Sequence, residues 1–227
     1  MFKRMFEAKT RGSVVAIEGQ IGSGKSSFLN EFRGKEGFRV DFEPVSEWQS
    51  VNGRYNLLDM YYKDAARYSY LFQSYVAVSN ARRNILAPPR TTVLAERLLG
   101  QRAFAELLYE EEKLTGAEYY TLNQITQSLE KSLPQPDLVI YMRCNTSVAL
   151  QRIQRRGRAE ESQITEDYLA RVAAMHDKHF ISRAPLLDCP VWVVNCEQNA
   201  AEMSGLFKTF GKRMQKQDFG AKKLHYF

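Results

Sequence analysis

Short apolar runs alternate with longer amphipathic segments along this chain. Five of the runs have the length and the β-branched content of buried strands: one begins at Ser13, and the others cover residues 38–44, 91–97, 136–144 and 191–196. Helical periodicity fills the segments between them, over residues 26–34, 68–84, 101–132, 147–156 and 166–180. Strands that alternate with helices form parallel sheets covered on both faces. The pattern therefore predicts an α/β fold with a five-stranded parallel sheet and helices on both faces.

A glycine-rich loop separates the first strand from the first helix, with the spacing GxxxxGKS from Gly19 to Ser26. Glycine allows backbone angles that turn successive N–H groups toward one point, and the next helix directs its positive N-terminal dipole there. At the end of this spacing, Lys25 would reach the β/γ-phosphates of a nucleotide and Ser26 would hold Mg²⁺. An unliganded glycine-rich turn is the alternative, but the full spacing after a strand is much more specific than a lone glycine pattern. The predicted ATP or GTP loop comprises Gly19, Gln20, Ile21, Gly22, Ser23, Gly24, Lys25, Ser26 and Ser27.

Polar residues stand at the ends of two other predicted strands. Glu43 ends the second strand, and Glu96 and Arg97 end the third. In open parallel sheets, ligands bind outside the carboxyl ends of the strands. We therefore expect these three side chains to converge beside the phosphate loop. For Glu43 taken by itself, a helix-capping or surface carboxylate is the alternative.

The composition is that of one globular domain. The 227 residues are 44% hydrophobic and 26% charged, and no linker, repeat or low-complexity tract divides them. No apolar run approaches the roughly 18 residues that cross a bilayer, so we expect no membrane association. The expected organisation is a basic N-terminal extension over residues 1–12, a folded domain over 13–210, and a basic, mobile C-terminal tail over 211–227.

Charge and cysteine content limit the partners and the compartment. The net charge of +6 would allow nucleic-acid binding, but much of the excess lies in the two ends and in residues 151–158, and no basic-aromatic recognition module is present. We expect no nucleic-acid partner. Cys144, Cys189 and Cys196 are odd in number and lack CxxC spacing, which favours free thiols in a reducing compartment. The cytoplasm is the expected location; a mitochondrial or nuclear location stays open.

Four further segments follow one another in order: EPVSEW at 43–48, LFQSYV at 71–76, LAER at 94–97 and RIQRRGRAEES at 152–162. With the phosphate loop, they resemble the deoxyribonucleoside kinase family, and the resemblance extends from about Ser13 to Cys196. It implies a P-loop kinase fold with an arginine-rich lid, ATP and Mg²⁺, a deoxyribonucleoside acceptor and a homodimer. Thymidine and deoxycytidine are the acceptors it favours.

The resemblance also implies catalytic roles. Glu43 would be the general base on the 5′-hydroxyl, and a carboxylate suits that task because it needs only to accept a proton as the oxygen attacks. Arg97 would bind near the 5′-oxygen and the transferring phosphoryl group. Glu96 would hold Mg²⁺ together with Ser26.

The run RIQRRGRAEES would ordinarily be interpreted as a solvated helix end. The resemblance instead implies a lid in which Arg152, Arg156 and Arg158 fold over the ATP phosphates. In that lid, Glu161 would reach the deoxyribose 3′-hydroxyl, with Tyr62 as its partner there.

The implied base pocket consists of Trp48, Phe72, Gln73 and Phe104. Aromatic side chains can sandwich a base and an amide can pair with a base edge, although each aromatic taken singly is typical of a core. The sequence departs from the family near this pocket: Leu98 replaces the usual Ser, the segment before Phe104 is about two residues shorter, and Asn80 stands where relatives place Met or Arg. The base preference therefore stays open.

Two other functions remain as alternatives. A nucleoside monophosphate kinase, such as a thymidylate kinase, shares the loop and the sheet but must bind an acceptor phosphate. A catalytically silent structural relative would share the fold without the chemistry. The EPVSEW and LFQSYV segments argue against the first, and Lys25, Ser26, Glu43 and Arg97 argue against the second.

Overall fold

A parallel sheet forms the centre of the molecule in a computed structural model that describes residues 11–198 and 200–227. The strands within these residues are β1 (Ser13–Glu18), β2 (Phe38–Asp41), β3 (Thr92–Glu96), β4 (Leu138–Arg143), β5 (Val191–Asn195) and β6 (Leu224–Tyr226). Their order across the sheet is β2-β3-β1-β4-β5-β6, and every neighbouring pair is parallel. The predicted parallel α/β sheet is confirmed, with one strand more than expected.

Helices connect the strands and cover the sheet. Among the described residues they are α1 (Lys25–Phe32), α2 (Val45–Gln49), α3 (Leu57–Lys63), α4 (Ala65–Ala81), α5 (Gln101–Glu110), α6 (Gly116–Glu130), α7 (Thr146–Arg156), α8 (Glu166–Asp177) and α9 (Ala200–Gln215). A 3₁₀ turn over Ala159–Glu161 follows α7, and a π-helical segment over Lys178–Ser182 follows α8. None of these helices is long and apolar enough to span a membrane.

The central strands are buried on both faces. All six residues of β1 are buried, and successive side chains alternate between two apolar layers. Val15 and Ile17 belong to one layer, and Val14 and Ala16 belong to the other. A third cluster, around Trp48 and the helices α3 to α6, forms beside the sheet. Burial on both faces is the reason these strands are continuous apolar runs in the sequence.

Two predicted helices differ from those observed. The segment 101–132 is two helices, because Glu112 adopts a left-handed conformation with φ of 56° and Thr115 begins a new helix through a capping box with Glu118. The helix predicted over 68–84 begins at Ala65, where Asp64 accepts a hydrogen bond from the Arg67 N–H, and it ends at Ala81. Hydrophobic periodicity does not register such caps.

The prediction of a mobile tail over 211–227 is wrong. Helix α9 continues past residue 210 to Gln215, and β6 then pairs with β5. Phe227 packs against Trp192 and Phe210, with ring centroids 5.4 and 5.0 Å apart. Residue 210 is therefore not a domain boundary. Most of the predicted N-terminal extension, residues 1–10, lies outside the described residues.

Candidate active site

A cavity of about 850 Å³ opens at the carboxyl edge of the sheet. The predicted site residues that line it are Ile21, Gly22, Ser23, Gly24, Lys25, Ser26, Ser27, Glu43, Trp48, Tyr62, Phe72, Gln73, Glu96, Arg97, Phe104, Arg152, Arg156, Arg158 and Glu161. Gly19 and Gln20 stand behind this lining, where the Gln20 amide donates to the Cys144 carbonyl at 2.8 Å. One cavity thus contains nearly every residue that the sequence assigned to a nucleotide or a nucleoside.

The phosphate loop has the geometry of an anion site. Gly22 and Gly24 adopt positive φ angles of 77° and 99°, and a Cβ at Gly22 would lie 2.5 Å from the Ala149 carbonyl oxygen. The Ser23 hydroxyl is buried and has no hydrogen-bond partner among the described residues. A phosphate group in this loop would supply the acceptor that the hydroxyl lacks, so the loop fits a nucleotide.

Lys25 lies at the start of α1, folded back on the loop. Its ammonium donates to the carbonyls of Gly19 and Gln20, at 3.0 and 2.9 Å. Burial lowers the pKa of Lys25 to about 8, with Arg97 adding to the effect, while the carboxylates of the site oppose it. A phosphate would restore a full counter-charge to this ammonium.

Two side chains whose oxygens could bind a metal ion, Ser26 and Glu96, lie side by side where β3 ends. The Ser26 hydroxyl donates to Glu96 Oε1 at 3.0 Å, and the Glu96 side chain is buried. Hydroxyl and carboxylate oxygens are ligands that Mg²⁺ accepts, usually with several waters and with phosphate oxygens. These two residues therefore fit a magnesium site beside the phosphate loop.

An ion pair joins the ends of β2 and β3. Arg97 Nε lies 2.7 Å from Glu43 Oε1, and both side chains are nearly buried. Burial opposes the charge of Arg97, but the carboxylates of Glu43, Glu18 and Glu96 outweigh it and raise the pKa of the guanidinium. Arg97 has a positive φ of 48°, which lets the chain turn at the strand end. The carboxylate of Glu43 is thereby held at the cavity wall.

A third carboxyl, Glu18, ends β1 and had no assignment from the sequence; it is buried and is not among the residues that line the cavity. Its Oε1 accepts a hydrogen bond from the Leu99 N–H at 2.7 Å, and its Oε2 has no partner among the described residues. Burial raises the pKa of Glu18 to about 7, against the lowering effects of the Leu99 N–H, Arg97 and Lys25. The signal that pointed to Glu96, a carboxyl at the end of an apolar strand, is also present in the sequence for Glu18.

Two of the three arginines that the sequence assigned to a lid pair with a carboxylate of their own segment. Glu161 pairs with Arg156 at 2.5 Å and with Arg158 at 2.6 Å. Arg152 instead reaches the phosphate loop, where it donates to the Ser23 carbonyl at 3.3 Å, and it donates to the Cys196 carbonyl at 2.8 Å. Arg152 is therefore already at the loop, while the other two arginines lie on the Glu161 side of the cavity.

Tyr62 lies on α3 and its side chain lines the cavity. Burial raises the pKa of its phenol well above the usual range, and the negative charge of Glu161 adds to the effect. The phenol therefore stays protonated and can donate a hydrogen bond to a ligand. Glu160, next to Glu161, accepts from Gln49 and Asn56 at 2.9 and 2.8 Å, which attaches the lid to α2 and α3.

Aromatic rings surround the deep end of the cavity. Trp48 and Phe72 are in edge-to-face contact at 5.5 Å, and the Trp48 indole N–H donates to the Ser79 hydroxyl at 2.9 Å. Gln73 is buried beside them, and its backbone carbonyl accepts from the Gln101 amide at 2.6 Å. Gln101 also lines the cavity and was missed in the sequence, where it falls in the segment that departs from the family.

Asn80 does not line this cavity. Its amide oxygen accepts a hydrogen bond from Arg83 at 3.2 Å. The side chain of Asn80, the position that the resemblance connected with the choice of base, therefore bonds to Arg83 and does not face the cavity.

Three residues of α9 also line the cavity and had no assignment from the sequence: Met203, Ser204 and Phe207.

Comparison with known proteins gives concordant matches. The model of the deoxynucleoside kinase family matches residues 15–214. Mitochondrial thymidine kinase 2 of Macaca fascicularis is 31% identical over 207 residues, which is 88% of this chain and 77% of the relative. Deoxycytidine kinase of Bos taurus is 32% identical over 206 residues, 77% of each chain. A solved deoxyadenosine kinase from M. mycoides, 24% identical, superimposes with a TM-score of 0.74 over 88% of this chain and 98% of its own. The P-loop kinase fold is therefore confirmed.

Proposed function

This chain belongs to the deoxynucleoside kinase family, and we propose that thymidine and deoxycytidine are its favoured acceptors. It is a phosphotransferase that phosphorylates deoxyribonucleosides in nucleotide salvage. The family inferred from the sequence motifs is thereby confirmed. The finer proposal names the 5′-hydroxyl as the acceptor group, ATP as the donor and Mg²⁺ as the cofactor.

One observation carries the proposal: the phosphate loop, the Glu43–Arg97 ion pair and the aromatic pocket around Gln73 line the same cavity. A nucleoside with its base against Gln73 would direct its 5′-hydroxyl toward Glu43 and the loop. An amide offers one donor side and one acceptor side, which suits the edge of either pyrimidine. The two relatives described above are named as a thymidine kinase and a deoxycytidine kinase, which supports the same choice.

The proposed reaction is in-line transfer of the γ-phosphoryl group. Glu43 accepts the proton of the 5′-hydroxyl as the oxygen bonds to the γ-phosphorus, and the bond from that phosphorus to the β–γ bridging oxygen breaks to release ADP. Arg97 orients the carboxylate and stabilises the charge that develops on the phosphoryl oxygens. Lys25 turns from the carbonyls of its own loop to the phosphates. Ser26 and Glu96 would hold Mg²⁺, which neutralises phosphate charge when bound.

The sugar would lie between α3 and the lid. Tyr62 donates a hydrogen bond to the 3′-hydroxyl, and Glu161 accepts one from it. Because Glu161 also pairs with Arg156 and Arg158, the lid arginines must exchange this carboxylate for ATP phosphates when the lid closes.

A homodimer in the cytoplasm completes the proposal. Leu71 and Val78 on α4 are 47% and 43% exposed, and Tyr120 on α6 is 67% exposed, so neighbouring helices present apolar side chains that a second copy could cover. The relatives named thymidine kinase 2 are mitochondrial, so the cytoplasmic location stays a prediction.

A phosphorylation screen tests the acceptor. The four natural deoxyribonucleosides and thymidine 5′-monophosphate are each incubated with the protein, ATP and Mg²⁺, and kcat/KM is measured. We expect thymidine and deoxycytidine to be the best substrates. Preference for a purine nucleoside would overturn the proposed base choice, faster turnover of the monophosphate would favour a monophosphate kinase, and no transfer to any acceptor would favour a silent relative.

A further inference from the structure

Arg83 occupies an unusual place just beyond the end of α4. Its side chain is 4% exposed, and all three guanidinium nitrogens donate. Nε donates to Asp41 Oδ2 at 2.7 Å, and Nη2 donates to the Asp41 carbonyl at 3.0 Å. Nη1 donates to the Glu96 carbonyl at 2.7 Å and to Asn80 Oδ1 at 3.2 Å. A planar fork with donors in fixed directions suits such a junction, and an ammonium group does not.

These acceptors lie on the three elements that carry the proposed acceptor site. Asp41 is the last residue of β2, two residues before Glu43. Glu96 is the last residue of β3, next to Arg97. Asn80 is in the last turn of α4, the helix that also carries Phe72 and Gln73.

The end of β2 has backbone pairing on one side, whereas the ends of β3 and β1 lie between two strands. β2 has four residues, all half-buried, and it lies at the edge of the sheet with β3 as its one neighbour. Glu43 follows this short edge strand. Its own contacts to the end of β3 are the ion pair with Arg97 and a contact of its N–H to Glu96 Oε2 at 3.5 Å, and Arg83 adds hydrogen bonds from one side chain to both strand ends. A side chain that hydrogen-bonds to both strand ends limits the movement of one relative to the other.

We propose that Arg83 is a positioning residue for phosphoryl transfer, which keeps Glu43 and Arg97 in register with the base pocket by bonding the ends of β2 and β3. It acts from outside the cavity, since it is not among the residues that line it. The inference rests on the proposed roles of Glu43 and Arg97. Arg83 contacts the elements of the proposed acceptor half of the site. It does not contact the phosphate loop between β1 and α1.

The test compares Arg83→Lys with Arg82→Lys. The first keeps the charge and loses the fork; the second changes an exposed neighbour whose ion pair with Glu47 lies on the surface. For Arg83→Lys we expect kcat with the preferred deoxyribonucleoside to fall about 10- to 100-fold, since small misplacements of reacting groups have effects of that order. Affinity for a non-hydrolysable ATP analogue, measured by calorimetry, should change less than about twofold. Arg82→Lys should match the wild type in both.

Asp41→Asn removes the negative charge from the Nε contact and Asn80→Ala removes the amide acceptor of Nη1. If Arg83→Lys fails to fold, these two variants carry the test, because each should lower kcat and leave affinity for the ATP analogue within about twofold of the wild type; unchanged kcat in both would overturn the inference. Where Arg83→Lys folds, Asp41→Asn should lower kcat by less than Arg83→Lys, and the lysine substitution should lower kcat less in the Asp41→Asn background because both changes weaken the same contact.

With a folded Arg83→Lys, three results would overturn the inference: a kcat for Arg83→Lys within twofold of the wild type, an equal loss of analogue affinity and kcat, or additive effects of the Asp41 and Arg83 substitutions. Failure of the proposed function is distinguishable, since the wild type itself would then transfer phosphate to no deoxyribonucleoside.

Discussion

At the scale of single residues, three carboxyl groups of the site follow neighbouring strands and differ in their contacts. Glu43 pairs with Arg97, and Glu96 accepts from Ser26. Glu18 accepts one backbone N–H and leaves its other oxygen without a partner among the described residues. The same residue type at or near a strand end thus has three different sets of contacts, which its surroundings decide. The ion pair with Arg97 holds the Glu43 carboxylate in one orientation, which suits the proton transfer proposed for it. Burial of Glu18 Oε2 without a hydrogen-bond partner in the part of the chain that the structure describes lowers the free energy of unfolding.

The role of Glu43 can be tested by Glu43→Gln, which preserves size and hydrogen bonding but cannot accept the proton. We expect kcat to fall about 10²- to 10⁴-fold, the usual effect of losing a general base. Affinity for an ATP analogue should persist, because the phosphate loop is unchanged. Glu47→Gln, on the exposed part of α2, is the matched control and should keep full activity. Near-normal turnover of Glu43→Gln at saturating nucleoside would refute the assignment.

Glu18 makes stability depend on pH. Its pKa rises from 4.5 to about 7 on folding, so the folded state binds more protons than the unfolded state between these values. The wild type should therefore lose stability relative to Glu18→Gln as the pH rises from about 4.5 to 7, by on the order of 3 kcal/mol in total. Thermal unfolding of both nucleotide-free proteins from pH 5 to 8 measures this difference. A gap that does not vary with pH would show that Glu18 does not titrate in this range.

At the scale of elements, the segment proposed as a lid contacts both the helices beside the cavity and the phosphate loop. The Ala159–Glu161 turn contacts α2 and α3 through Glu160, and Glu161 holds two of the three lid arginines. Arg152, on α7 itself, already contacts the loop. The proposed closure over ATP would therefore require new partners for Arg156 and Arg158, while Glu160 keeps its contacts to Gln49 and Asn56.

The junction of α3 and the lid can be tested through the sugar. A site built around a hydroxyl rejects analogues that lack it, because its own polar groups then lose their partners. We expect 3′-deoxythymidine to be a much poorer substrate than thymidine, and Tyr62→Phe to narrow this gap by weakening thymidine more than the analogue. The measurement is kcat/KM for both substrates with both proteins, analysed as a double-mutant cycle. If the substitution lowers both values by the same factor, Tyr62 does not contact the 3′-hydroxyl.

At the scale of the whole molecule, the C-terminal segment closes one edge of the sheet. After α9, the chain returns to place β6 beside β5, and Phe227 covers Trp192 and Phe210. Arg213 adds a cation–π contact with Trp192 at 4.3 Å. Helix α9 also lines the cavity through Met203 and Phe207, so the same C-terminal segment contributes to the sheet edge and to the candidate site.

Phe227→Ala tests how much the packing of the last residue stabilises the fold. The half-buried ring should stabilise the fold by about 1–2 kcal/mol, so its loss should lower Tm by several degrees in a domain of this size. Tyr226→Ala, at a side chain that is 66% exposed, is the control and should change stability by less than about 0.5 kcal/mol. Equal midpoints for Phe227→Ala and the wild type would mean that the terminal strand contributes nothing to stability.

The sequence by itself determined the parallel sheet and most of the candidate site. Strands buried on both faces are apolar runs, the GxxxxGKS spacing is local, and the rule that parallel strands present their carboxyl ends at one edge gathers Glu43, Glu96 and Arg97. These inferences hold because each depends on short stretches of chain or on a general property of parallel sheets.

Only the tertiary structure decided the remaining features. The three residues of β6 have no periodicity to recognise, and whether they pair depends on the free edge of β5. Asn80 meets Arg83 rather than the cavity, and Arg83 meets Asp41 and Glu96, which are distant in the sequence. Such contacts depend on which side chains the packed elements bring together, and burial then sets the strength of their charges, as at Glu18.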